Sequence, residues 1–214
     1  MYCAGTNGHI SCWDLSFLVK EPLSLKNGTA MVDHPLPLQT SDGPSRNELY
    51  WNARKATHQS SVKAMFALKL VDSETLVVSG GDDNALALTR FSIVPAASSS
   101  IMTSISTLRI PKAHASAITA AAIIPIPARE SQPWQAKHRF LVITSGNDQR
   151  VKLWDVVIDL AQSGVAGIRI QKRANKHTSV ADVSSMDVFV DNGVARFALC
   201  GVGMEIWTLE ELVE

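Results

Sequence analysis

The chain has 214 residues, enough for one or two domains with a sizeable core. Its 20 basic and 20 acidic side chains balance, which excludes a global electrostatic attraction to nucleic acid or to an anionic membrane. The 3 cysteines form no CxxC pair, which argues against a structural zinc site and a disulfide framework. The first residues lack the pattern of a signal peptide, and residues 91–108 are too polar to span a bilayer. We therefore expect a cytoplasmic protein.

Four short segments share an ending in which a β-prone run finishes at or beside a tryptophan. Three of them end at Trp13, Trp154 and Trp207, and in the fourth Thr89 stands where the tryptophan would be. Each segment follows a cluster of Gly, Asn or Asp of the kind that forms hairpin turns. Apolar runs that predict a further strand precede the last three turns, at residues 76–78, 140–143 and 197–200.

A histidine opens three of the units. His58, His114 and His177 each follow one β-prone segment and lead into another. The repeating plan is therefore a strand, a histidine, two strands, a turn, and a strand that ends in Trp. A plan that recurs along a chain predicts a series of similar packed units.

This plan resembles the WD-repeat family, whose unit is one four-stranded blade of a β-propeller. The resemblance implies an all-β fold in which residues 59–113 and 114–176 are full WD blades. Residues 1–58 would be the end of a truncated blade with a long loop insertion, and residues 177–214 a final blade without its outer strand. About three blades are fewer than the roughly four to eight of a closed ring. We therefore expect the C-terminal portion of a larger propeller.

The resemblance also implies a buried hydrogen-bond network in each blade, in which every polar member is satisfied. The members are a histidine, a serine or threonine, an aspartate and the tryptophan. The third unit offers all four and the second offers three, with Thr89 in place of Trp. No Asp fits the turn before Trp207. The predicted members are His114, Thr144, Asp148 and Trp154 in the third unit and His58, Ser79 and Asp83 in the second.

Two catalytic or metal-binding alternatives involve the same residues. Ser79 or Thr144, with the nearby histidine and aspartate, has the composition of a hydrolase triad. Because the set recurs once per unit, the structural network is favoured. Adjacent Asp82 and Asp83 have carboxylates that suit Mg²⁺, although a turn explains both residues. We predict no metal, no cofactor, no small-molecule substrate and no enzymatic activity.

The densest basic run contains Arg169, Lys172, Arg173 and Lys176. On a regular strand the two arginines share one face and the two lysines the other. One interpretation is a solvated edge strand whose charges prevent unwanted pairing. The other is a local patch that contacts RNA phosphates. No aromatic side chain is interleaved, which weakens the case for base stacking.

The second half of the chain resembles a narrower group of WD-repeat proteins. The turn at residues 148–150 and the Gly-rich hairpin at residues 201–205 are similar to the C-terminal part of the WD-repeat regulators of tRNA 2′-O-ribose methylation. The resemblance implies a non-catalytic scaffold. Its partner would be a tRNA 2′-O-methyltransferase that acts on the wobble nucleotide of the anticodon loop. The alternatives are a protein-interaction propeller in ubiquitin ligation or trafficking and, more remotely, a hydrolase.

Overall fold

The computed structural model describes residues 1–13, 51–95, 101–126, 137–192 and 194–213. Over these residues the chain is mostly strand with almost no helix, so the predicted all-β fold class is confirmed. The strands are β1 (Tyr2–Ala4), β2 (His9–Trp13), β3 (Trp51–Ala56), β4 (Val62–Val71), β5 (Glu74–Gly81), β6 (Leu86–Pro95), β7 (Ile101–Ile110), β8 (Ile118–Ile126), β9 (Lys137–Gly146), β10 (Arg150–Asp159), β11 (Ile168–His177), β12 (Ala181–Asp191) and β13 (Val194–Thr208). A 3-10 helix (Gly164–Gly167) precedes β11, and α1 (Leu209–Val213) follows β13.

The strands form four antiparallel sheets in which each strand pairs with the next one along the chain. The first sheet contains β1 to β3, the second β4 to β7, the third β8 to β11, and the fourth β12 and β13. Over the described residues, the second and third sheets are therefore four-stranded meanders, and the outer two have three and two strands. The ranges of these sheets follow the four units that the sequence predicts, except that β11 ends at His177, one residue past the expected boundary at residue 176.

Hairpins of the same design link the second and third strands of the two larger sheets. A Cβ on Gly81 would lie 2.3 Å from the carbonyl oxygen of Ser61, and one on Gly146 would lie 2.2 Å from that of Ala117. Only glycine allows this approach of backbone to backbone. The following turn contains a residue with positive φ, Asn84 (60°) in one hairpin and Gln149 (55°) in the other. The turn clusters in the sequence thus mark equivalent positions.

Successive sheets pack face to face, with an apolar core between each pair. Leu76, Leu88 and Trp154 belong to the core between the second and third sheets. Leu153 and Phe197 belong to the core between the third and fourth. Strand β4 contacts β8, and β8 contacts β12, so the first strands of successive sheets adjoin.

Opposite charges form a pair at the same register position in two neighbouring sheets. In the second sheet, Arg90 Nη2 donates to Glu74 Oε1 at 2.6 Å. In the third sheet the signs are exchanged, because Arg139 Nη2 on β9 donates to Asp155 Oδ2 on β10 at 2.6 Å. Buried Arg90 also donates from Nη1 to the carbonyl oxygen of Gln162 at 2.7 Å. This hydrogen bond ties the second sheet to the connection between β10 and β11.

The end of the described chain differs from the sequence prediction. The Gly-rich segment at 201–203 predicts a tight turn between two strands, whereas the structure gives a continuous strand from Val194 to Thr208. Gly203 lies within it with φ of 110°. The partner strand β12 pairs with β13 from residue 194 to residue 202. No helix in the described part of the chain is long and apolar enough to cross a membrane.

Candidate functional site

The four predicted network residues of the third unit lie in one chain of hydrogen bonds. His114, in the turn between β7 and β8, has Nε2 2.9 Å from Thr144 Oγ1 and Nδ1 2.9 Å from Asp148 Oδ1. Thr144 Oγ1 also accepts a hydrogen bond of 2.9 Å from Trp154 Nε1. The network therefore joins the turn before the sheet to its second strand, its hairpin and its third strand.

The hairpin carboxylate, Asp148, also binds the backbone. It accepts hydrogen bonds from the amides of Ala115 at 2.9 Å and Arg150 at 3.2 Å. Burial opposes ionisation of Asp148, but the bonds from His114 and Ala115 outweigh it and lower the pKa of this carboxyl. Burial lowers the pKa of His114, against the opposing effect of Asp148. The pair is therefore a neutral imidazole on a carboxylate near neutral pH.

The second unit contains the same arrangement without its tryptophan. His58 has Nδ1 2.9 Å from Asp83 Oδ1 and Nε2 2.9 Å from Ser79 Oγ. Arg109 Nη2 donates to Asp83 Oδ2 at 2.9 Å. Burial opposes ionisation of Asp83, but hydrogen bonds from the Gln59 amide, His58 and Arg109 hold its pKa well below the ordinary value.

Thr89 occupies the position of the missing tryptophan and does not join this set. It is buried on β6, and its Oγ1 lies 3.2 Å from Thr107 Oγ1 on the outer strand β7. The predicted members His58, Ser79 and Asp83 are thus brought together, and the Ser79 hydroxyl has His58 as its partner. A hydroxyl pair between β6 and β7 stands where an indole would lie.

Neither nucleophile candidate of a hydrolase triad has a surface at which a substrate could meet it. Ser79 and Thr144 are both 0% exposed, and each hydroxyl is within hydrogen-bond distance of a buried histidine. A triad needs its nucleophile in a cleft that the substrate can enter. The described geometry supplies the hydrogen bonds of a triad without this access.

The fourth sheet holds a third network that the sequence analysis missed. Glu205 Oε2 accepts hydrogen bonds from Thr178 Oγ1 at 2.6 Å and from Trp207 Nε1 at 2.9 Å. Glu205 Oε1 accepts from the amide of Ser179 at 3.0 Å and from the Ser179 hydroxyl. Burial opposes ionisation, but these bonds lower the pKa of Glu205 to about 2. A glutamate on the strand thus binds the turn that an aspartate in the hairpin binds in the other two sheets.

A backbone hydrogen bond identifies the true counterpart of the network histidines. The amide of His114 donates to the carbonyl of Asn84, the positive-φ residue of the preceding hairpin, at 3.2 Å. The amide of Thr178 donates to the equivalent residue, Gln149, at 3.0 Å. Thr178, and not the exposed His177, is therefore equivalent to His114. The prediction that His177 opens the last unit is off by one residue.

The basic run lies on β11, the outer strand of the third sheet, and its residues face in different directions. Arg173 Nη2 donates to Asp155 Oδ2 at 2.7 Å. The register shifts beside Arg173, so that Lys172 pairs with Trp154 whereas Lys176 pairs with Val151. Trp154 and Val151 are three residues apart on β10, so their side chains point to opposite faces of the sheet. Their partners Lys172 and Lys176 therefore do not share a face. That part of the sequence prediction is wrong.

Asp155 is the carboxylate that binds two arginines beside the basic run of β11. Arg139 donates to it from Nε at 2.9 Å, and Arg173 donates from the other side. The bonds from Arg139 outweigh the effect of burial and, with those from Arg173, lower the pKa of Asp155 to about 2. Arg169 and Lys172 are exposed. The prediction that Arg169, Lys172, Arg173 and Lys176 contact RNA stays a prediction, with Arg173 already bound to a carboxylate.

The adjacent carboxylates of the second hairpin have separate protein partners. Asp83 binds His58, whereas Asp82 Oδ2 lies 3.5 Å from Lys63 Nζ. Among the residues that the structure describes, no group of three or more His, Cys, Asp or Glu side chains is placed to hold a metal ion.

Comparison with known proteins adds no relative of this chain. No model of a known protein family matches it, and no curated protein matches it. A functional interpretation therefore depends on the three networks, the basic side chains and the resemblance of individual motifs.

Proposed function

We propose that the chain is part of a WD-repeat β-propeller, in which the four sheets are consecutive blades. The observation that carries this proposal is the repeated network of turn, second strand, hairpin and third strand around His58 and His114. The matching backbone bonds of His114 and Thr178 support it. A WD blade has four strands, whereas the first and last sheets have three and two described strands. We therefore propose that these sheets belong to a larger propeller.

The proposed role is that of a non-catalytic scaffold. The buried hydroxyls of Ser79 and Thr144 support it, because each lies within hydrogen-bond distance of a histidine in its own unit and has no exposed surface. Rigid blades that display variable loops suit a protein that binds others. A hydrolase probe that labels reactive serines and threonines should leave the chain unlabelled. Labelling that disappears in Ser79→Ala or Thr144→Ala would instead support the remote hydrolase alternative.

The proposed partner is a tRNA 2′-O-methyltransferase that modifies the wobble nucleotide. The resemblance of the turn at residues 148–150 and of the Gly-rich segment at residues 201–205 to the regulators of tRNA ribose methylation supports this choice over a general interaction propeller. Methyl donor and catalytic groups would belong to the partner. A balanced net charge also favours a role beside a partner that binds tRNA itself.

Deletion of the gene, followed by mass spectrometry of tRNA nucleosides, tests the proposed function. We expect loss of wobble-position 2′-O-methylation, restoration by the wild-type gene, and no restoration by empty vector. Affinity purification of the tagged protein should yield the methyltransferase. Normal methylation in the deletion strain, with ubiquitin-ligase or trafficking subunits in the purified complex, would favour the alternative of a general interaction propeller.

A further inference from the structure

A groove lies beside the turn that carries His114, between the second and third sheets. It has a volume of about 460 Å³ and is lined by Asn84, Lys112, His114, Ala115 and Lys152. Asn84 belongs to a hairpin of the second sheet, whereas Lys152 belongs to the central strand β10 of the third. Two lysines from different elements therefore face one cavity.

Positive charge is concentrated around this groove. Lys152 Nζ donates to the carbonyl oxygen of Ala113 at 2.6 Å, which holds the ammonium at the wall. Burial lowers the pKa of Lys152, and the charges of Lys172 and Arg150 lower it further against the opposing effect of Asp148. Lys172 pairs with Trp154, and residues 152 and 154 share one face of β10, so Lys172 extends the basic surface outward.

The lysines at the groove lack the carboxylate partners that three other lysines have. Lys63, Lys69 and Lys137 each form an ion pair with an aspartate. Within the described ranges, Lys112, Lys152 and Lys172 form none. The nearest acid that acts on Lys152, Asp148, is already bound by His114 and by two backbone amides. An anion entering the groove would therefore meet uncompensated positive charge.

We propose that this groove binds phosphate groups of an RNA backbone, with Lys112 and Lys152 on its walls and Lys172 at its outer margin. The inference rests on the proposed function, because that function supplies RNA as the anion. It changes the residues expected to contact RNA. Arg173 is bound to Asp155, and Arg169 and Lys176 pair with Val157 and Val151 on the opposite face of β10. Of the four basic residues of β11, only Lys172 therefore lies beside the groove.

The test compares a groove variant with a control variant of equal charge. The groove variant of the full chain is Lys112→Gln with Lys172→Gln, which leaves Lys152 bound to Ala113. The control is Lys69→Gln with Lys137→Gln, whose side chains are 66% and 63% exposed. Thermal melting establishes that both variants fold. The probe is a fluorescein-labelled anticodon stem–loop RNA, whose binding is followed by fluorescence anisotropy at several KCl concentrations.

We expect the groove variant to bind the RNA at least about tenfold more weakly than the wild type. The slope of log affinity against log salt should become shallower by about one and a half units, since two phosphate contacts are lost. The control should retain the wild-type affinity and slope. Equal losses in both variants, or a wild-type chain that does not bind the RNA, would overturn the proposal.

Two further measurements separate this inference from the proposed function. The first measurement is competition by poly-glutamate. If poly-glutamate displaces the RNA from the wild type, and binds the groove variant less well than it binds the control variant of equal charge, the groove would be assigned to an acidic protein segment and the RNA assignment would be overturned. Affinity purification of the methyltransferase with the wild-type and groove-variant chains tests the scaffold function by itself. Capture by both chains, without RNA binding by either, would overturn the groove and leave the scaffold standing.

Discussion

Removal of the Asp148 carboxylate should destabilise the third sheet, and the hydrogen bonds that are lost determine by how much the free energy of unfolding falls. In Asp148→Ala, His114 Nδ1 loses its partner, and so do the amides of Ala115 and Arg150. The two amides belong to exposed hydrogen bonds, so water can replace the lost acceptor there. His114 is only 2% exposed, so its ring nitrogen is left buried without a partner.

The expected cost is therefore that of one buried unpaired polar group, about 1–3 kcal/mol in the free energy of unfolding. Asp82→Ala is the matched control, because the same hairpin carries this residue. Its ion pair with Lys63 spans 3.5 Å between side chains that are 39% and 47% exposed. Exposed pairs of this kind contribute about 0–1 kcal/mol. The two substitutions should thus differ clearly in effect.

Urea denaturation followed by tryptophan fluorescence measures both changes. The fluorescence of Trp154 contributes to this signal and is sensitive to the network, because its indole Nε1 donates to Thr144 within it. We expect a lower midpoint for Asp148→Ala at an unchanged slope, and a midpoint near wild type for Asp82→Ala. If both variants unfolded at the same midpoint, Asp148 would not be the carboxylate that holds this network.

Three other changes test separate parts of the structure. Glu205→Gln should lower the melting temperature at pH 7. Since the pKa of Glu205 is about 2 in the folded chain against an ordinary 4.5, the ionised carboxylate stabilises the fold fully above pH 4.5, and this contribution is lost as the pH falls toward 2. Equal melting temperatures of the wild type and the variant from pH 7 down through that window would refute this. Arg90→Lys should cost about 1–3 kcal/mol in denaturant melts, because a lysine cannot bind both Glu74 and the carbonyl of Gln162. Gly146→Ala should destabilise the chain or prevent folding, as a Cβ would lie 2.2 Å from a carbonyl oxygen; a wild-type melting temperature would contradict this.

The sequence was sufficient for the network of the third unit, because each member carries its own local signal. His114 precedes a strand, Asp148 occupies a Gly-Asn-Asp turn, and Trp154 lies in the apolar run that follows this turn. Thr144 is two residues before Gly146 on the preceding strand. Hydrogen-bond partners that lie at the ends of predicted strands can be assigned from spacing alone, since strand ends meet in an antiparallel meander.

The third network escaped prediction because its carboxylate comes from a different element. The repeat pattern places an aspartate in the hairpin, whereas Glu205 reaches the turn from within β13. One signal was present. Glu205 and Trp207 are two residues apart on a strand, so both side chains point to one face. The longer side chain of Glu205 reaches the turn from the strand, whereas the shorter aspartate side chains of the other two sheets reach it from the hairpin.

The register of β11 could not be predicted either. Regular alternation places Lys172 and Lys176 on one face, but the shift beside Arg173 adds one residue to this strand relative to β10. The extra residue is the one whose guanidinium binds Asp155. The local alternation of β11 thus depends on its pairing with β10, and the sequence periodicity within β11 alone does not reveal it.

The exchanged charges of the second and third sheets bear on how repeated units find their proper neighbours during folding. Strands of similar sequence in successive repeats can pair wrongly, a characteristic failure of repeat proteins. If β9 took the place of β5 beside β6, Arg139 would face Arg90; if β5 replaced β9 beside β10, Glu74 would face Asp155. Both mistakes place a like charge beside a buried charged residue, Arg90 or Asp155, which is destabilising. We therefore expect the exchanged charges to disfavour pairing between strands of the two different sheets.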